Sequence, residues 1–417
     1  MINDVSRAYS YAPNLEPIFV ELCEEDREEG DEDMCGELLV SMYGTRPAES
    51  NWRKCYTELL IANGFTRTRA STCVFHHASR HIKMMVHGDD FVSTGDDDDL
   101  QWLQTIFECK FEIYNVILGH EEKDTKTAKV LNWIKIVCEN AYSYGADARH
   151  PELIIKSLKL QEAKQVSTPY VEETYEEDSP LEHDKFKAYQ SIRAGANFRA
   201  TDRNDIILAT KEACRAMSKL TSRGWARLKR IGRYLLKRKH LVYYHNFQDD
   251  INTLQVYYDV SWASNKQDRK SKSGGIVMFG DHFIKAWSKT RAIVALSSAE
   301  SELYAIVKAS AEILGLKPIY TDIGMNIKSI MYSDASSALG KIQRQGLGTT
   351  RNIDCGYLFV QNLNAEKMIR YRKISGTANP ADMHTRGLNE ENTNRYFTMA
   401  KARFVEGRPE LYARIQC

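Results

Sequence analysis

The chain has 417 residues and a mass of 47.8 kDa, which is enough for about two or three domains. Hydrophobic residues make up 43% of it, so it can bury real cores and is not a disordered protein. No apolar run approaches the length of a membrane span and the N-terminus lacks a signal-peptide pattern, so no membrane partner is expected. Nine cysteines without a CxxC pair argue for free thiols in a reducing compartment.

The formal net charge of +1 hides a strong asymmetry along the chain. The segments 21–33 and 172–178 are almost wholly acidic. Residues 184–239 instead contain 16 Lys and Arg against 4 Asp and Glu, a local net charge of +12. A basic block inside a neutral chain indicates a polyanionic partner that is bound at one place.

The first part of the chain carries an adjacent carboxylate pair at a predicted hairpin tip. Asp4 follows a strand start, Glu37–Gly44 is predicted to be a strand, and Ala48–Asn63 has helical spacing of its apolar residues. Short strands are then predicted on both sides of a turn at His87–Asp90, whose sequence is HGDD. Two carboxylates this close repel each other unless a cation lies between them, so Asp89 and Asp90 indicate a divalent metal. The alternative is that Gly-Asp-Asp is only a polar turn.

The basic block is predicted to form three helices, at Phe186–Ala200, Asp205–Leu220 and Ala226–Leu236. Arg215, Lys219 and Arg223 recur at every fourth position, which predicts one basic helix face. The next helix adds Lys229, Arg230 and Arg233. Because acidic residues for ordinary surface pairing are scarce here, we favour contact with a nucleic-acid backbone. A merely solvated helix face is the alternative.

The last third of the chain places single carboxylates at the ends of predicted elements. Asp259 and Asp334 each end a strand, Glu302 lies in the first turns of a helix, and Asp382 begins the last helix. Because Glu300 and Glu302 are two residues apart on a helix, we expect only one of them to point inward. Four acids at successive strand and helix ends, with all-oxygen ligands, predict a second metal centre that prefers Mg²⁺, with Mn²⁺ as the substitute.

Several motifs, in this order, resemble the Pol polyprotein of copia-type LTR retrotransposons. The palm of its reverse transcriptase is matched by DVSRAY at 4–9, LEPIFV at 15–20, MYGTRPA at 42–48, CVF at 73–75 and HGDD at 87–90. Its RNase H domain is matched by DVSWA at 259–263, RKSKSG at 269–274 and SSAESE at 297–302. The similarity runs from Asp4 to about Leu388.

The resemblance implies two catalytic centres, both for two-metal phosphoryl transfer. Asp4, Asp89 and Asp90 would bind the polymerase metals, and Tyr9 would check the sugar of the incoming nucleotide. In the nuclease, the catalytic and metal-binding residues would be Asp259, Glu302, Asp334 and Asp382. The implied partners are an RNA–DNA hybrid, an RNA template with a DNA primer, and dNTPs.

The implied fold class is α+β or mixed α/β, a reverse-transcriptase palm followed by a helical connection and an RNase H-like domain. The expected domains are a palm and thumb portion at 1–169, an acidic linker at 170–183, the connection at 184–250, the RNase H-like domain at 251–388 and a tail at 389–417. The resemblance implies a location in the cytoplasm, within a virus-like particle, and leaves a nuclear location open. A homodimer or a heterodimer also stays open.

One departure from the family concerns the fingers, which precede the first aspartate motif in the family and are missing here. Because the fingers grip the triphosphate, we expect this chain alone not to extend a primer. Another departure is at Asn352 and Leu358, where the family often has histidines. Two rival interpretations remain, a relic that binds nucleic acid without catalysis and a nuclease that keeps the palm as a docking base.

Overall fold

The computed structural model describes residues 1–31, 33–131, 133–146, 149–172, 178–215, 220–249, 251–265, 268–346 and 355–406. The chain divides into two compact units, Met1–Lys126 with Pro318–Met325 and Thr127–Lys317 with Asn326–Cys417. Both units combine helices and strands, which confirms the predicted mixed α/β class. Within the described residues, no helix combines the length and the apolar character needed to cross a membrane.

The first unit is built on an antiparallel sheet with the strand order β4-β5-β6-β7-β1-β8. In chain order its elements are β1 (Ile2–Val5), β2 (Phe19–Glu21), β3 (Cys35–Glu37), α1 (Ala48–Ala62), β4 (Thr66–Arg67), β5 (Val74–His77), β6 (Ile82–His87), β7 (Asp90–Thr94), α2 (Asp97–Glu108) and β8 (Ile113–Val116). Along β6 every second residue is buried, which is the period of a strand with one face on a core. The strands β2 and β3 form a separate ribbon.

Helix α1 covers this sheet with one apolar face. Trp52, Tyr56 and Leu60 are spaced by four residues and are all buried. The rings of Trp52 and Tyr56 lie edge-on to Phe91 of β7, with centroids 6.2 and 5.5 Å away. The helix predicted at Ala48–Asn63 is therefore confirmed.

The strand predicted at Glu37–Gly44 is wrong. Strand β3 ends at Glu37, and the residues after it make only isolated pairings, such as the bridge between Pro13 and Val40. The chain then turns after Met42, whose carbonyl accepts from the amide of Thr45 over 3.1 Å. The apolar residues that suggested a strand have no core beneath them, and Leu39 is 79% exposed. Apolar composition alone therefore misled the prediction.

The second unit contains the elements after Lys126, except for the end of the long helix α7. They are β9 (Thr127–Val130), β10 (Trp133–Cys138), β11 (Ala141–Ala146), α3 (Arg149–Ser157), α4 (Phe186–Arg199), α5 (Ile207–Cys214), α6 (Ser222–Lys237), β12 (His240–Asn246), β13 (Thr253–Ser261), β14 (Lys272–Phe279), β15 (His282–Thr290), α7 (Ser298–Asp322), β16 (Lys328–Ser333), α8 (Ser336–Ile342), α9 (Phe359–Ala365), β17 (Arg370–Lys373), α10 (Glu390–Met399) and β18 (Ala402–Val405).

One sheet of this unit has the strand order β15-β14-β13-β16-β17. The strands β13, β14 and β15 form an antiparallel meander, and β16 and β17 continue the sheet in parallel with β13. An antiparallel meander extended by two parallel strands is the arrangement of an RNase H-like domain, as the sequence predicted. Because parallel strands end at the same edge, this order brings the ends of β13 and β16 together.

A second sheet joins distant parts of the chain in the order β18-β12-β11-β10-β9. Strand β11, expected within the palm and thumb portion, pairs with β12 of the predicted connection. Strand β18, from the tail about which the sequence predicted nothing, pairs with the other edge of β12. The compact units thus divide after Lys126, whereas the expected palm and thumb portion runs to 169.

A buried ion network ties α5 to the sheet that contains β13, β14 and β16. The Oε1 atom of Glu212 lies 3.0 Å from Nζ of Lys211 and 4.0 Å from Nζ of Lys272 on β14. Its Oε2 atom lies 3.5 Å from a guanidinium nitrogen of Arg215. The side chains of Glu212 and Lys272 are each 3% exposed, so this carboxylate is a buried counterion that three cations share. Burial also lowers the pKa of Lys211 to about 8.

Removing this one negative charge should therefore be costly. We expect Glu212→Gln to reduce the free energy of unfolding by about 3–5 kcal/mol, because it breaks a buried ion network and takes from Lys211 its acidic partner. The control is Glu182→Gln, which removes an ion pair with Lys185 in which the glutamate side chain is 72% exposed, and it should leave the free energy of unfolding close to the parent's. Urea titrations of the two variants and the parent measure both values. Equal losses for the two variants would contradict the assigned role of Glu212.

Candidate active site

Two of the predicted nuclease acids lie at one edge of the sheet β15-β14-β13-β16-β17. Asp259 is in β13, where it is 5% exposed and pairs across the ladder with Gly274 of β14. Asp334 directly follows β16, the parallel neighbour of β13, and is half-buried. The parallel register of β13 and β16 therefore brings two carboxylates together that are 75 positions apart in the sequence.

A short 3₁₀ turn at Pro380–His384, and not an α-helix, brings in the third acid, Asp382. The side chain of Asn379 holds this turn, since it donates to the carbonyl of Tyr258 over 2.9 Å and accepts from the amide of Ala381 over 3.2 Å. Gly274 lets the turn approach β14, because a Cβ there would lie 2.5 Å from the Cβ of His384. Asp382 is thereby fixed next to the end of β13.

The fourth acid, Glu302, comes from α7. Both Glu300 and Glu302 are buried, at 4% and 7% exposure, so the expectation that only one would point inward is wrong. Glu300 has its own partners, the Tyr304 hydroxyl and the Leu296 amide, each at 2.8 Å. Glu302 instead lines an open cavity of about 350 Å³, together with Asp259 and Asp334.

The four carboxylates raise one another's pKa values. Asp259, Asp334 and Asp382 bring one carboxylate oxygen each within 4.8 Å of one another, which no other trio of potential ligands does among the described residues. Burial, followed by the charges of Asp259 and Asp334, raises the pKa of Glu302 to about 8. Burial and the charge of Asp382 raise the pKa of Asp259 to about 6. A divalent cation would relieve the repulsion between these carboxylates.

Unpaired buried atoms show where a cation would fit. Oε2 of Glu302 and Oδ1 of Asp382 are buried and have no hydrogen-bond partner. An unsatisfied buried carboxylate oxygen is costly, and bound metal would give such atoms a partner. The donors are all carboxylate oxygens, the ligands that Mg²⁺ and Mn²⁺ prefer. These residues therefore fit a divalent metal.

Three residues that support the acids were missed by the sequence reasoning. The hydroxyl of Thr385 donates to Oδ2 of Asp259, and the hydroxyl of Tyr396 donates to Oδ2 of Asp382 over 3.2 Å. Arg386 forms an ion pair with Asp382. The one available signal was spacing, because Thr385 and Arg386 follow Asp382 within one turn.

The predicted polymerase acids also come together, in the first unit. Asp4 of β1 is the direct cross-strand partner of Asp90 of β7. Asp89 adjoins them in a two-residue turn, in which Gly88 has a φ of 64°, as a type II′ hairpin requires. The predicted turn was too long, since Asp90 already belongs to β7. Burial and the neighbouring acids raise the pKa values of Asp4 and Asp90.

Contacts from outside the hairpin fix the tip in place. The indole nitrogen of Trp52 donates to the carbonyl of Gly88 over 2.8 Å. The ring of Tyr9, the predicted sugar-contacting residue, lies 4.3 Å from that of Tyr43. The charge of Asp89 is one cause that raises the pKa of Tyr43, after burial. The role of Tyr9 stays a prediction.

The predicted basic helix face does not exist as one surface. Helix α5 ends at Cys214 and Arg223 lies on α6, so Arg215 and Arg223 do not share a helix. Arg215 is paired with Asp268 at 2.9 Å as well as with Glu212, contrary to the expected lack of acidic partners. Lys219 lies outside the described residues.

The basic residues of α6 mostly contact the chain itself. Arg230 donates to the Thr168 hydroxyl over 2.9 Å, and Arg233 donates to the carbonyl of Lys164 over 2.6 Å. Lys229 is exposed. These contacts give Arg230 and Arg233 a structural role, and nucleic-acid binding by α6 stays a prediction. Asn352, one of the departures from the family, lies outside the described residues.

Comparison with known proteins supports the similarity to Pol polyproteins. No protein-family model matches the chain. It is 25% identical over 402 residues to the retrovirus-related Pol polyprotein from transposon TNT 1-94 of Nicotiana tabacum, covering 92% of this chain and 29% of the relative. It is 26% identical over 365 residues to that from transposon RE1 of Arabidopsis thaliana, covering 84% and 24%. The chain therefore spans less than a third of the length of these relatives.

Two solved structures show partial likeness. The foamy viral protease-reverse transcriptase in complex with an RNA/DNA hybrid matches with a TM-score of 0.48 and 12% identity, over 90% of this chain and 44% of that chain. The N-terminal RNase H domain of a Mycobacterium tuberculosis protein matches with a TM-score of 0.23 and 9% identity, over 36% of this chain and 99% of that chain. The predicted resemblance to the Pol polyprotein of copia-type LTR retrotransposons is confirmed by the sequence relatives, which come from plant transposons.

Proposed function

We propose that the second unit is a ribonuclease H, which cleaves the RNA strand of an RNA–DNA hybrid with divalent metal held by Asp259, Glu302, Asp334 and Asp382. The observation that carries this proposal is the clustering of the acids: Asp259, Glu302 and Asp334 line one cavity, and Asp382 brings a carboxylate oxygen within 4.8 Å of those of Asp259 and Asp334. The buried Oε2 of Glu302 and Oδ1 of Asp382 lack partners. Mg²⁺ is the proposed ion, with Mn²⁺ as the substitute. Such ions activate water and stabilise a leaving oxygen.

The chain's own residues would keep the acids in place during this reaction. Thr385 and Tyr396 each donate a hydrogen bond to one carboxylate and leave other oxygens of the cluster unpaired. Orienting the acids before the metal arrives reduces the reorganisation that binding would need. Lys373 fixes the end of β16 as well, because its Nζ lies 2.5 Å from both the carbonyl of Asp334 and the hydroxyl of Ser336.

The test is cleavage of an end-labelled RNA annealed to DNA, beside the same RNA as a single strand and in an RNA duplex. We expect cleavage of the hybrid in Mg²⁺ or Mn²⁺ and none in EDTA, because the carboxylates alone cannot supply the positive charge. Selectivity for the hybrid would rest on contacts to the 2′-hydroxyls of one strand only. Parent protein that leaves the hybrid intact in both metals would favour the non-catalytic relic.

We further propose that the first unit contributes the metal-binding acids for RNA-directed DNA synthesis from dNTPs. The cross-strand pairing of Asp4 with Asp90, beside Asp89 at the hairpin tip, supports this. Because this chain alone is not expected to extend a primer, the test is metal binding: Asp89→Asn should bind fewer Mn²⁺ ions than the parent in a calorimetric titration, since two metals need all three acids. Hybrid cleavage by Asp89→Asn should stay at the parent's level, which serves as the internal control. An unchanged number of bound Mn²⁺ ions would remove Asp89 from the site.

A further inference from the structure

Arg386 reaches into the acidic cavity from the same segment that supplies Asp382. Its Nη2 atom lies 2.5 Å from Oδ2 of Asp382, and its backbone amide donates to the carbonyl of Asp382 over 3.2 Å. The guanidinium lines the same cavity as Asp259, Glu302 and Asp334. The side chain of Arg386 is 49% exposed, whereas that of Asp382 is 7% exposed. One end of this ion pair is therefore fixed, and the other borders solvent.

This arginine is the countercharge of the acid cluster. Within the described residues, no other Lys or Arg side chain lies within 4 Å of a carboxylate oxygen of the four acids. Its charge opposes the upward pKa shifts of Asp259, Asp334 and Asp382. The nearby Lys373 binds the carbonyl of Asp334 and not its carboxylate. Arg386 thus lies beside the acid cluster with a single positive charge, on the carboxylate oxygen of Asp382 that is not left unpaired.

We propose that Arg386 exchanges partners: it pairs with Asp382 while the cluster holds no divalent ions, and it binds a backbone phosphate of the nucleic acid once the ions are bound. The proposal rests on the ribonuclease H function proposed above. Divalent ions next to Asp382 repel the guanidinium, and its exposed side chain can turn toward the cavity mouth. A phosphate there is the matching partner, because the planar guanidinium binds two phosphate oxygens at once.

If Arg386 exchanges partners, Arg386→Gln should change the affinity for Mn²⁺ and the affinity for the hybrid in opposite directions. Without nucleic acid, the variant should bind Mn²⁺ about threefold to tenfold more tightly, because no cation competes for Asp382. With metal present, its affinity for the hybrid should fall about tenfold, because one charge-assisted contact to phosphate is lost. Arg386→Lys keeps the competing positive charge but lacks the planar guanidinium that binds two phosphate oxygens. Its Mn²⁺ affinity should therefore stay near the parent's, and its hybrid affinity should fall by less than that of Arg386→Gln.

The experiment uses the full chain and three readouts. Calorimetric titration with Mn²⁺ measures metal affinity, fluorescence anisotropy of a labelled hybrid in Ca²⁺ measures nucleic-acid affinity, and cleavage in Mg²⁺ gives kcat and KM. Arg370→Gln is the matched control, since it removes an exposed arginine from β17 of the same sheet. Urea unfolding of each variant establishes that it folds.

Tighter Mn²⁺ binding together with weaker hybrid binding, relative to Arg370→Gln, supports the exchange. Weaker binding of both would overturn it and leave Arg386 as a structural support of Asp382. Tighter Mn²⁺ binding with unchanged or stronger hybrid binding would also overturn it, because Arg386 would then only block the metal. A parent that binds metal and hybrid but cleaves nothing would remove the proposed ribonuclease function, and the two affinities would still decide the role of Arg386.

Discussion

Asp259→Asn is expected to lower the rate of hybrid cleavage by about a hundredfold to a thousandfold. Rate losses in this range are typical when an active site loses a central electrostatic group. Asp259 is the acid on the central strand, and one of its carboxylate oxygens lies within 4.8 Å of those of Asp334 and Asp382. The asparagine keeps the size of the side chain and removes its charge. Cleavage of end-labelled hybrid in Mg²⁺ measures the change, with Glu302→Gln tested beside it.

A matched control and a stability measurement separate loss of charge from loss of fold. Asp281→Asn changes an aspartate of the β14–β15 turn that pairs with Lys401 over 3.1 Å, and cleavage should be unchanged. Without metal, Asp259→Asn should be at least as stable as the parent, because it removes a repulsive charge from a buried cluster. If Asp259→Asn cleaves as fast as the parent, the acid cluster is not the nuclease centre.

The parts of the site that the sequence predicted share one property, a regular local pattern. Asp259 and Asp334 could be placed because each ends an apolar strand, and the ends of adjacent parallel strands meet at one edge. The hairpin with Asp89 and Asp90 carried its own turn signal in Gly88. In these cases the sequence neighbours of a residue determine where its side chain lies.

Long-range pairing explains what the sequence could not give. Strand β18 is defined by its ladder with β12, more than 150 positions earlier, and a four-residue strand has almost no signal of its own. Lys272 belongs to the polar run RKSKSG at 269–274, but its side chain is buried, with Glu212 of α5 as a counterion 4.0 Å away. The inward position of both Glu300 and Glu302 likewise depends on Tyr304 and the Leu296 amide as partners for Glu300.

The basic block shows how charge counting can mislead. Its excess of Lys and Arg predicted a surface for nucleic acid, and the sequence seemed to lack acidic partners. The structure supplies those partners from elsewhere, with Asp268 pairing with Arg215 and backbone or hydroxyl oxygens accepting from Arg230 and Arg233. Charge composition predicts how much positive charge a segment has, but not how much of it faces solvent.

The metal-free protein is expected to lose stability as the pH rises from about 4 to about 8. The folded pKa values of Glu302 and Asp259, about 8 and about 6, lie above the ordinary carboxyl values of 4.5 and 3.8. Below pH 4 both groups are protonated in the folded and unfolded chain, so the cluster lowers the free energy of unfolding only a little. As the pH rises, the unfolded chain releases its protons first, and each such group then removes up to about 1.4 kcal/mol per pH unit.

Mg²⁺ should reverse this trend, because it binds the ionised carboxylates and its stabilising effect therefore grows with pH. Urea unfolding at pH 5, 6.5 and 8, in EDTA and in Mg²⁺, measures both slopes. Glu302→Gln should flatten the slope in EDTA and reduce the gain from Mg²⁺, whereas Glu366→Gln, at an exposed position after α9, should leave both as in the parent. A metal-free parent that is equally stable at pH 5 and pH 8 would mean that its four acids do not repel one another, and the case for a metal centre would lose its electrostatic basis.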